Sequence, residues 1–347
     1  MTRIIPGRLR PAARLVVAFV LAALVLLTLA QRASPLSPWW LELTRYLPYP
    51  MLLAPVAAAL LVSCALGWRW VLASAATLAL AATLTMGLVW NDSEVGTTSP
   101  FRVMTYNIKG AKAAQRAGGL AELAREIARH DPDIVMVQDA QGMSSGPPGP
   151  QAPEALLFGG RALHRVGQYV IASRFPLRDC APGRLPVRGE DVGYLRCVVD
   201  VRGVELTLVT VHFESPRSGL NAARREGVDG IAEWRRNYED RLDQARLLAG
   251  TFAAGPRPLV IAGDLNAPQA SPVVRALLAT GLRDAFASAG RGYGYSYGQA
   301  LRVGVSFLRI DHLLVSDGIG VAACEVGDGA PSEHRPVIAD LWFRRAP

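Results

Sequence analysis

Lysine is almost missing from this chain: of 37 basic residues only Lys109 and Lys112 are lysines, and the rest are arginine. A bias of that kind runs through a whole proteome, so arginine content carries no weight as a sign of nucleic-acid binding. Charge of either sign is scarce in the first 95 residues, which hold seven arginines and three acids, Glu42, Asp92 and Glu94. That scarcity, together with long uncharged runs, excludes a wholly water-soluble chain. Four cysteines in 347 residues exclude a disulfide scaffold, and a hydrophobic content of 50% excludes intrinsic disorder. No internal repeat is present. The net charge of +8 is shared evenly between the two parts and is a weak clue.

What remains divides into two unlike pieces. Uncharged runs predict three membrane spans, at about 15–31, 51–67 and 71–90, against the roughly 20 apolar residues that a helix needs to cross a bilayer. Arg3, Arg8, Arg10 and Arg14 before the first run place the amino terminus in the cytoplasm by the positive-inside bias, and three crossings put residue 91 onward on the far side. A cleavable signal peptide ending near Ala30 is the competing reading of the first run. Trp39, Trp40, Tyr46, Tyr49, Trp68, Trp70 and Trp90 stand near the span ends, where amphipathic rings belong. With no ionisable residue inside a span, the piece reads as an anchor. The polar stretch 91–100 reads as a linker of at most about 36 Å, tethering the rest close to the bilayer.

From residue 101 onward short β-rich runs alternate with helical patterns. Strands are expected over FRVMTYNI, DIVMVQ, YVIAS (169–173), YLRCVVDV (194–201), VELTLVTVHF (204–213), PLVIAG (258–263), IDHLLVS (310–316) and PVIADLWF (336–343). Helices are expected over 117–130 and 221–254, and 143–153 is a Pro/Gly loop. So many strands with few helical crossovers favour a mixed α/β sandwich over a doubly wound parallel sheet. Cys64 falls in the second span; Cys180 and Cys197 either pair in an oxidising compartment or stay reduced, and Cys324 stays free.

Polar residues recur at the ends of these apolar runs: Asn107, Gln138 and Asp139, His212, Asp264 and Asn266, Asp311 and His312, Glu333 and His334. Strand ends are where a rigid scaffold fixes side chains while loops leave room for a ligand. The inventory of acids, amides and imidazoles without a thiol pair suits a hard cation, Mg²⁺ or Mn²⁺, better than structural zinc. In GDLNAP, Asp264 and Asn266 stand two apart and so on one side of an extended chain. Taken singly, Asn107 and Asp139 also read as turn formers, His212 as a bonded core histidine and His312 as structural.

In order along the chain, TYNIKG, VQD, ASRFP, VTVHF, GDLNA, the IDH strand and SEHRP together resemble the endonuclease/exonuclease/phosphatase (DNase I-like) superfamily over about residues 101–347. The resemblance implies a four-layer α/β sandwich, two packed mixed β-sheets flanked by helices, preceded here by the three transmembrane helices. It implies metal-dependent hydrolysis of a phosphodiester by an activated water. Asp139 corresponds to the principal metal ligand, with Asn107 beside it and Glu333 as a further acid. Asp264 corresponds to the residue that orients or deprotonates the water, and Asn266 and His212 to those that hold phosphate oxygens. His334 corresponds to a phosphate-binding histidine paired with Asp311.

Two positions depart from the family pattern. Asp139 stands where the family has Glu, and Glu333 where it has Asp, so one acid is shorter and the other longer by a methylene. Opposite changes are expected to compensate and keep the ion; a decayed metal site is the rival. Arg217, in SPRSGLNAARR, is a candidate phosphate contact or the start of a solvated helix. Tyr295, in RGYGYSYG, is a candidate stacking residue or part of an edge strand. The expected partners are the bilayer and a phosphodiester, either nucleic acid or a lipid head group as in sphingomyelinase-like enzymes. A non-catalytic binding module is the alternative from another class. The expected setting is a bacterial inner membrane with the catalytic part extracytoplasmic.

Overall fold

The computed structural model describes residues 6–33, 37–92, 94–96, 98–143, 153–188, 190–299, 301, 304–329 and 331–344. The expected Pro/Gly loop lies outside them except for Met143 and Pro153. Two compact units emerge, Met1–Val89 and Trp90–Pro347.

The first unit contains helices α1 (Arg10–Ala33), α2 (Trp39–Thr44), α3 (Tyr49–Leu66) and α4 (Trp68–Leu80). Val17, Leu21, Leu24, Val56, Ala59 and Ala81 form its apolar centre, while Leu15, Phe19, Met51 and Leu61 are exposed. Buried polar groups pair internally: Ser63 Oγ lies 2.9 Å from Ser74 Oγ, and Arg45 donates to Glu42 at 2.8 Å. Two helices are long and apolar enough to cross a membrane, Gly7–Ala33 and Tyr49–Leu66. The third expected span is not one continuous α-helix. Its α-helical part stops at Leu80, a π-helical turn follows over Ala81–Thr85, and the chain is extended at Val89–Trp90. Thr83 Oγ1 bonds back to the Ala79 carbonyl at 2.8 Å, and Gly87 turns left-handed at φ 74°. Side-chain competition for backbone carbonyls and a left-handed glycine are ordinary ways for a helix to end, and hydropathy is blind to both.

In the second unit the strands are β1 (Phe101–Asn107), β2 (Ile134–Gln138), β3 (Ala162–Val166), β4 (Tyr169–Ser173), β5 (Leu177–Val187), β6 (Glu190–Val201), β7 (Val204–His212), β8 (Leu259–Asp264), β9 (Arg283–Asp284), β10 (Asp311–Val315), β11 (Ile319–Val326) and β12 (Val337–Phe343). One six-stranded sheet runs β11-β12-β1-β2-β4-β3 and the other β9-β10-β8-β7-β6-β5. Both are mixed, with parallel pairing at β1/β2 and β7/β8 and antiparallel pairing elsewhere. Each parallel pair is joined through helix: α5 (Gly119–His130) between β1 and β2, and α6 (Arg217–Arg225) with α7 (Val228–Phe252) between β7 and β8. The helix expected over 221–254 is therefore two, divided at Gly227, whose φ of 61° an α-helix does not admit.

Period-two alternation decides which face each strand residue serves. In β1, Met104 and Tyr106 join Val135 and Val137 of β2 against Leu123 and Ile127 of α5. Thr105 and Asn107 consequently point the other way, toward the second sheet. There Gln138 Nε2 donates to Thr105 Oγ1 at 3.0 Å and to Thr210 Oγ1 of β7 at 2.7 Å, a polar link across the sandwich. The edge strand β5 carries Pro182 and Pro186, which cannot donate to a ladder and are tolerated where one side is unpaired. Its disulfide joins Cys180 to Cys197 of β6, and Cys64 and Cys324 are free.

The stretch before β1 is held against this unit. Glu94 pairs with Arg344 at 2.9 Å and with Arg283 at 3.3 Å, and Asn91 N donates to Gly290 O at 3.3 Å. Its polar side chains, read from sequence as a tether, are used as clasps.

Candidate active site

Three neighbouring strands of the second sheet align their site residues in one row. His212 is in register with Asp264 across the parallel β7/β8 pair, and Asp311 is in register with Asp264 across the antiparallel β8/β10 pair. Asp311 opens its strand and does not close it; because β10 runs antiparallel, its first residue reaches the edge where β7 and β8 end. Gly263 permits the close approach: a Cβ there would fall 1.9 Å from the Val211 carbonyl oxygen. Opposite this row, β1 and β2 of the first sheet end in register at Asn107 and Gln138.

Asp264 is the hub, 1% exposed. Asn107 Nδ2 donates to its Oδ2 at 2.9 Å and the Asn266 backbone N–H to its Oδ1 at 2.9 Å. His212 Nε2 lies 3.5 Å from Oδ2 and His334 Nε2 3.7 Å. Burial pushes this carboxyl upward, but the charges of His334, His212 and Lys109 and the Asn266 N–H outweigh it and hold the group below its ordinary value. His334 Nδ1 meets Asp311 Oδ2 at 2.9 Å, so its ring has a carboxylate beyond each nitrogen, and only the imidazolium donates to both. Burial opposes that charge; Asp311 and Asp264 overcome it and raise the His334 pKa. For the Asp311 carboxyl burial is the dominant influence and acts upward, against His334 and Ser296. The geometry assigns the shared proton to the imidazole.

His212 behaves differently. Its Nδ1 lies 2.7 Å from Gln168 Oε1, on the two-residue turn between β3 and β4, and burial keeps its pKa below the ordinary histidine value despite Asp264. The neutral ring then carries its proton on Nδ1, toward Gln168, and offers a phosphate oxygen a donor at Nε2 only when it gains a second proton. Asn266 also has work besides the expected phosphate contact: its Nδ2 donates to Phe213 O at 2.8 Å.

The acids expected as metal ligands have cations of their own. Lys109 Nζ lies 2.8 Å from Asp139 Oδ2, Lys112 Nζ 2.8 Å from Glu333 Oε1, and an Arg217 guanidinium nitrogen 3.3 Å from Glu333 Oε2. Burial raises the Glu333 carboxyl, but Lys112 and Arg217 bring it below its usual range. Lys109 stays charged despite burial because Asp264 and Asp139 raise its pKa. The two acids thus rest on separate partners, Asp139 on Lys109 and Glu333 on Lys112 and Arg217. Asn107, Asp139 and Glu333 offer oxygen donors, the set a hard divalent ion prefers, and two of them already stabilise positive charge. Asp264, Asp311 and His334 form a second group whose ligand atoms lie within 4.8 Å of one another and could hold a metal. The imidazolium form of His334, however, has no lone pair left for one.

Of the predicted residues, Asn107, His212, Asp264, Asn266, Asp311 and His334 converge on one centre, with Asp139 joined to it through Lys109, and Arg217 and Glu333 through Tyr297. Tyr295 does not join them. Its ring stacks on Tyr293 at 5.2 Å and borders a separate cavity with Arg291, Cys324 and Arg335. Tyr297 takes its place: the ring lies 4.8 Å from that of His334, and its hydroxyl accepts from Arg217 at 2.8 Å. The chain between Gly290 and Leu308 is not a regular strand, so alternation did not select among the three tyrosines. His312 is buried in a different network, with Nδ1 at 3.1 Å from Asp284 and Nε2 at 2.9 Å from Ala267 O. Sequence reasoning passed over Lys109, Lys112 and Gln168 as site residues, and within RGYGYSYG it selected Tyr295 where the structure uses Tyr297. For the lysines a signal existed: they are the two exceptions in an arginine-rich chain and stand beside Asn107.

Lys109, Asp139 and Asn266 share a further feature, left-handed backbone at φ 47°, 54° and 48°. Residues other than glycine held there cluster at sites where function demands the geometry.

About seven-tenths of the chain shares its fold with solved structures. A structure from Beutenbergia cavernae described as an endonuclease/exonuclease/phosphatase is 23% identical, covers 72% of this chain and 73% of its own, and superposes with a TM-score of 0.52. A family member from Bacteroides thetaiotaomicron is 18% identical over 71% of this chain and 99% of its own, at 0.54. A mannosyl-6-phosphatase of Bacteroides thetaiotaomicron VPI-5482 is 19% identical over 70% and 100%, at 0.50. No curated protein matches the chain. The family model for endonucleases, exonucleases and phosphatases matches residues 104–334, from the first β1 contacts to His334. The chain belongs to the endonuclease/exonuclease/phosphatase family, whose members are hydrolases of phosphoester bonds.

Proposed function

We propose that the chain is a metal-dependent phosphodiesterase in which water attacks phosphorus in line with the departing oxygen. The observation that carries this reading is the setting of Asp264: a buried carboxylate kept ionised between two imidazoles, with amide donors fixing both of its oxygens. Such a group is placed to orient a water and take its proton. His334, held by Asp311 and capped by the Tyr297 ring, donates to the negative charge that develops on the phosphate. Asn107 and the Asn266 N–H hold the Asp264 carboxylate in place. Lys112 and Arg217, whose side chains are 50% and 51% exposed, meet the anionic substrate as it arrives. Asn107, Asp139 and Glu333 are the residues that would hold Mg²⁺ or Mn²⁺, which when bound supplies charge neutralisation at the phosphate.

Nucleic acid is the first substrate class proposed. The two apolar helices favour a second, a phosphodiester carried on the bilayer itself. We read the catalytic unit as anchored to a bacterial inner membrane on its extracytoplasmic side. The Cys180–Cys197 disulfide, of a kind that persists in oxidising compartments, supports that side of the membrane.

Hydrolysis of bis-p-nitrophenyl phosphate by the full-length protein tests the reading. Turnover that requires Mg²⁺ or Mn²⁺, stops with EDTA and is lost in Asp264→Ala supports it; a folded protein without turnover on nucleic acid, lipid or this ester points to a binding module. Between the two substrate classes, steep loss of affinity with rising salt marks nucleic acid, since several phosphate contacts release counterions.

A further inference from the structure

Both lysines of a chain with thirty-five arginines lie in this site, and each faces one of the two acids that depart from the family pattern. Lys109 is the more enclosed. Its ammonium is 2.8 Å from Asp139 Oδ2 and within the field of Asp264, and the Lys109 N–H reaches back to Asn107 Oδ1 at 3.3 Å. Its backbone is left-handed, as is that of Asp139, so both partners are held in an uncommon conformation that brings the pair together. Arginine would present a planar fork able to take both carboxylate oxygens, whereas an ammonium is a compact point charge on a flexible stem. The chain uses the compact ion where the acid expected to bind metal is found.

Resting on the metal-dependent reading above, we propose that Lys109 is a tethered counter-cation that competes with the divalent ion for Asp139, so that it lowers the affinity of the site for metal. Asp139 then never stands as an uncompensated, partly buried anion, and the ion binds only where its charge outcompetes the ammonium. A substitution that removes the ammonium tightens metal binding, and one that supplies a bidentate cation weakens it.

The test is a titration of the full-length protein in detergent micelles with Mn²⁺, following the electron paramagnetic resonance signal of the free ion. Lys109→Met is expected to bind Mn²⁺ at least about tenfold more tightly than the natural protein, about 1.4 kcal/mol. Lys109→Arg is expected to bind it more weakly, and the gain in Lys109→Met is expected to vanish when Asp139→Asn is added. Equal or weaker binding by Lys109→Met overturns the proposal, as does the absence of saturable binding in all the proteins. If Lys109→Met does not fold, Lys109→Arg decides, and binding as tight as that of the natural protein overturns the proposal. Metal-dependent hydrolysis with an affinity indifferent to residue 109 removes this inference and leaves the phosphodiesterase reading standing; hydrolysis in EDTA removes the metal reading itself.

Discussion

Asn107 Nδ2 donates to Asp264 Oδ2 at 2.9 Å, and the bond crosses from the last residue of β1 in one sheet to the last residue of β8 in the other. Separated by 157 positions in sequence, the two side chains meet because both strands end at the same rim and both alternate their final residue inward. The bond also explains how a buried carboxylate stays ionised. Each N–H aimed at it replaces a water that folding removed, and His334, its own pKa raised, supplies positive charge with Nε2 at 3.7 Å.

Asp264→Asn keeps the shape but removes the base, and with one acceptor oxygen it satisfies only one of the two donors, Asn107 Nδ2 and the Asn266 N–H. We expect turnover of bis-p-nitrophenyl phosphate to fall by about 10²–10⁴-fold, with KM altered only a few-fold, and the melting temperature to fall by the few degrees that a buried unsatisfied donor costs. Steady-state kinetics beside thermal melts check this; a loss confined to KM would contradict the assigned role.

Asp311 acts through His334, so their losses are not expected to add. His334→Ala and Asp311→Asn each reduce turnover, and the double variant is expected to be no slower than His334→Ala alone. Multiplicative losses in that cycle would mean that Asp311 serves the reaction by another route.

The two exchanged acids rest on different cations, Asp139 on Lys109 and Glu333 on Lys112 and Arg217. Both acids would nevertheless hold the same ion, so Asp139→Glu together with Glu333→Asp is expected to be faster than either single variant, the opposite changes in length compensating. Additive losses would mean that the two acids act through their separate partners.

Asp284 anchors a buried cluster away from the catalytic row, 2.6 Å from Arg309 and 3.1 Å from His312. Burial works to raise its pKa, but Arg309 and His312 depress it well below the usual carboxylate range. A depressed folded-state pKa means stability that is fully present above the unfolded value, about 3.9, and is lost as pH falls below it. Asp284→Asn is expected to cost about 3–5 kcal/mol near neutrality, because it leaves the buried Arg309 guanidinium without its carboxylate, and to flatten the fall of the melting temperature from about pH 5 to pH 2. Parallel slopes for the two proteins over that range would count against this account.

Eight strands were legible because each is a run of β-branched or aromatic residues bounded by turn formers. The others were not. β5, with two prolines and a glycine in LRDCAPGRLPV, does not resemble a strand until its edge position is known. β11, GVAAC at its centre, is too rich in small residues to declare itself. The third expected span is interrupted for the opposite reason: its hydropathy is uniform, while the α-helix ends where Thr83 bonds back to the Ala79 carbonyl and Gly87 turns left-handed.

Within the site, the motifs that resemble the family pointed to Asn107, Asp139, His212, Asp264, Asn266, Asp311, Glu333 and His334, all at or next to the ends of strands or apolar runs. Which of them touch was decided in three dimensions. Gln168 holds His212 across 44 positions, Arg217 reaches Glu333 across 116, and Lys112 reaches Glu333 across 221. No local pattern encodes such pairings: strand order brings the partners to one rim, and charge, reach and burial there select among the groups within range. The sequence by itself determined the family, the two-part organisation and the residue types at the rim; the tertiary structure decided that lysines stand beside the expected metal ligands, and that neighbouring carboxylates raise the pKa of His334 while burial lowers that of His212.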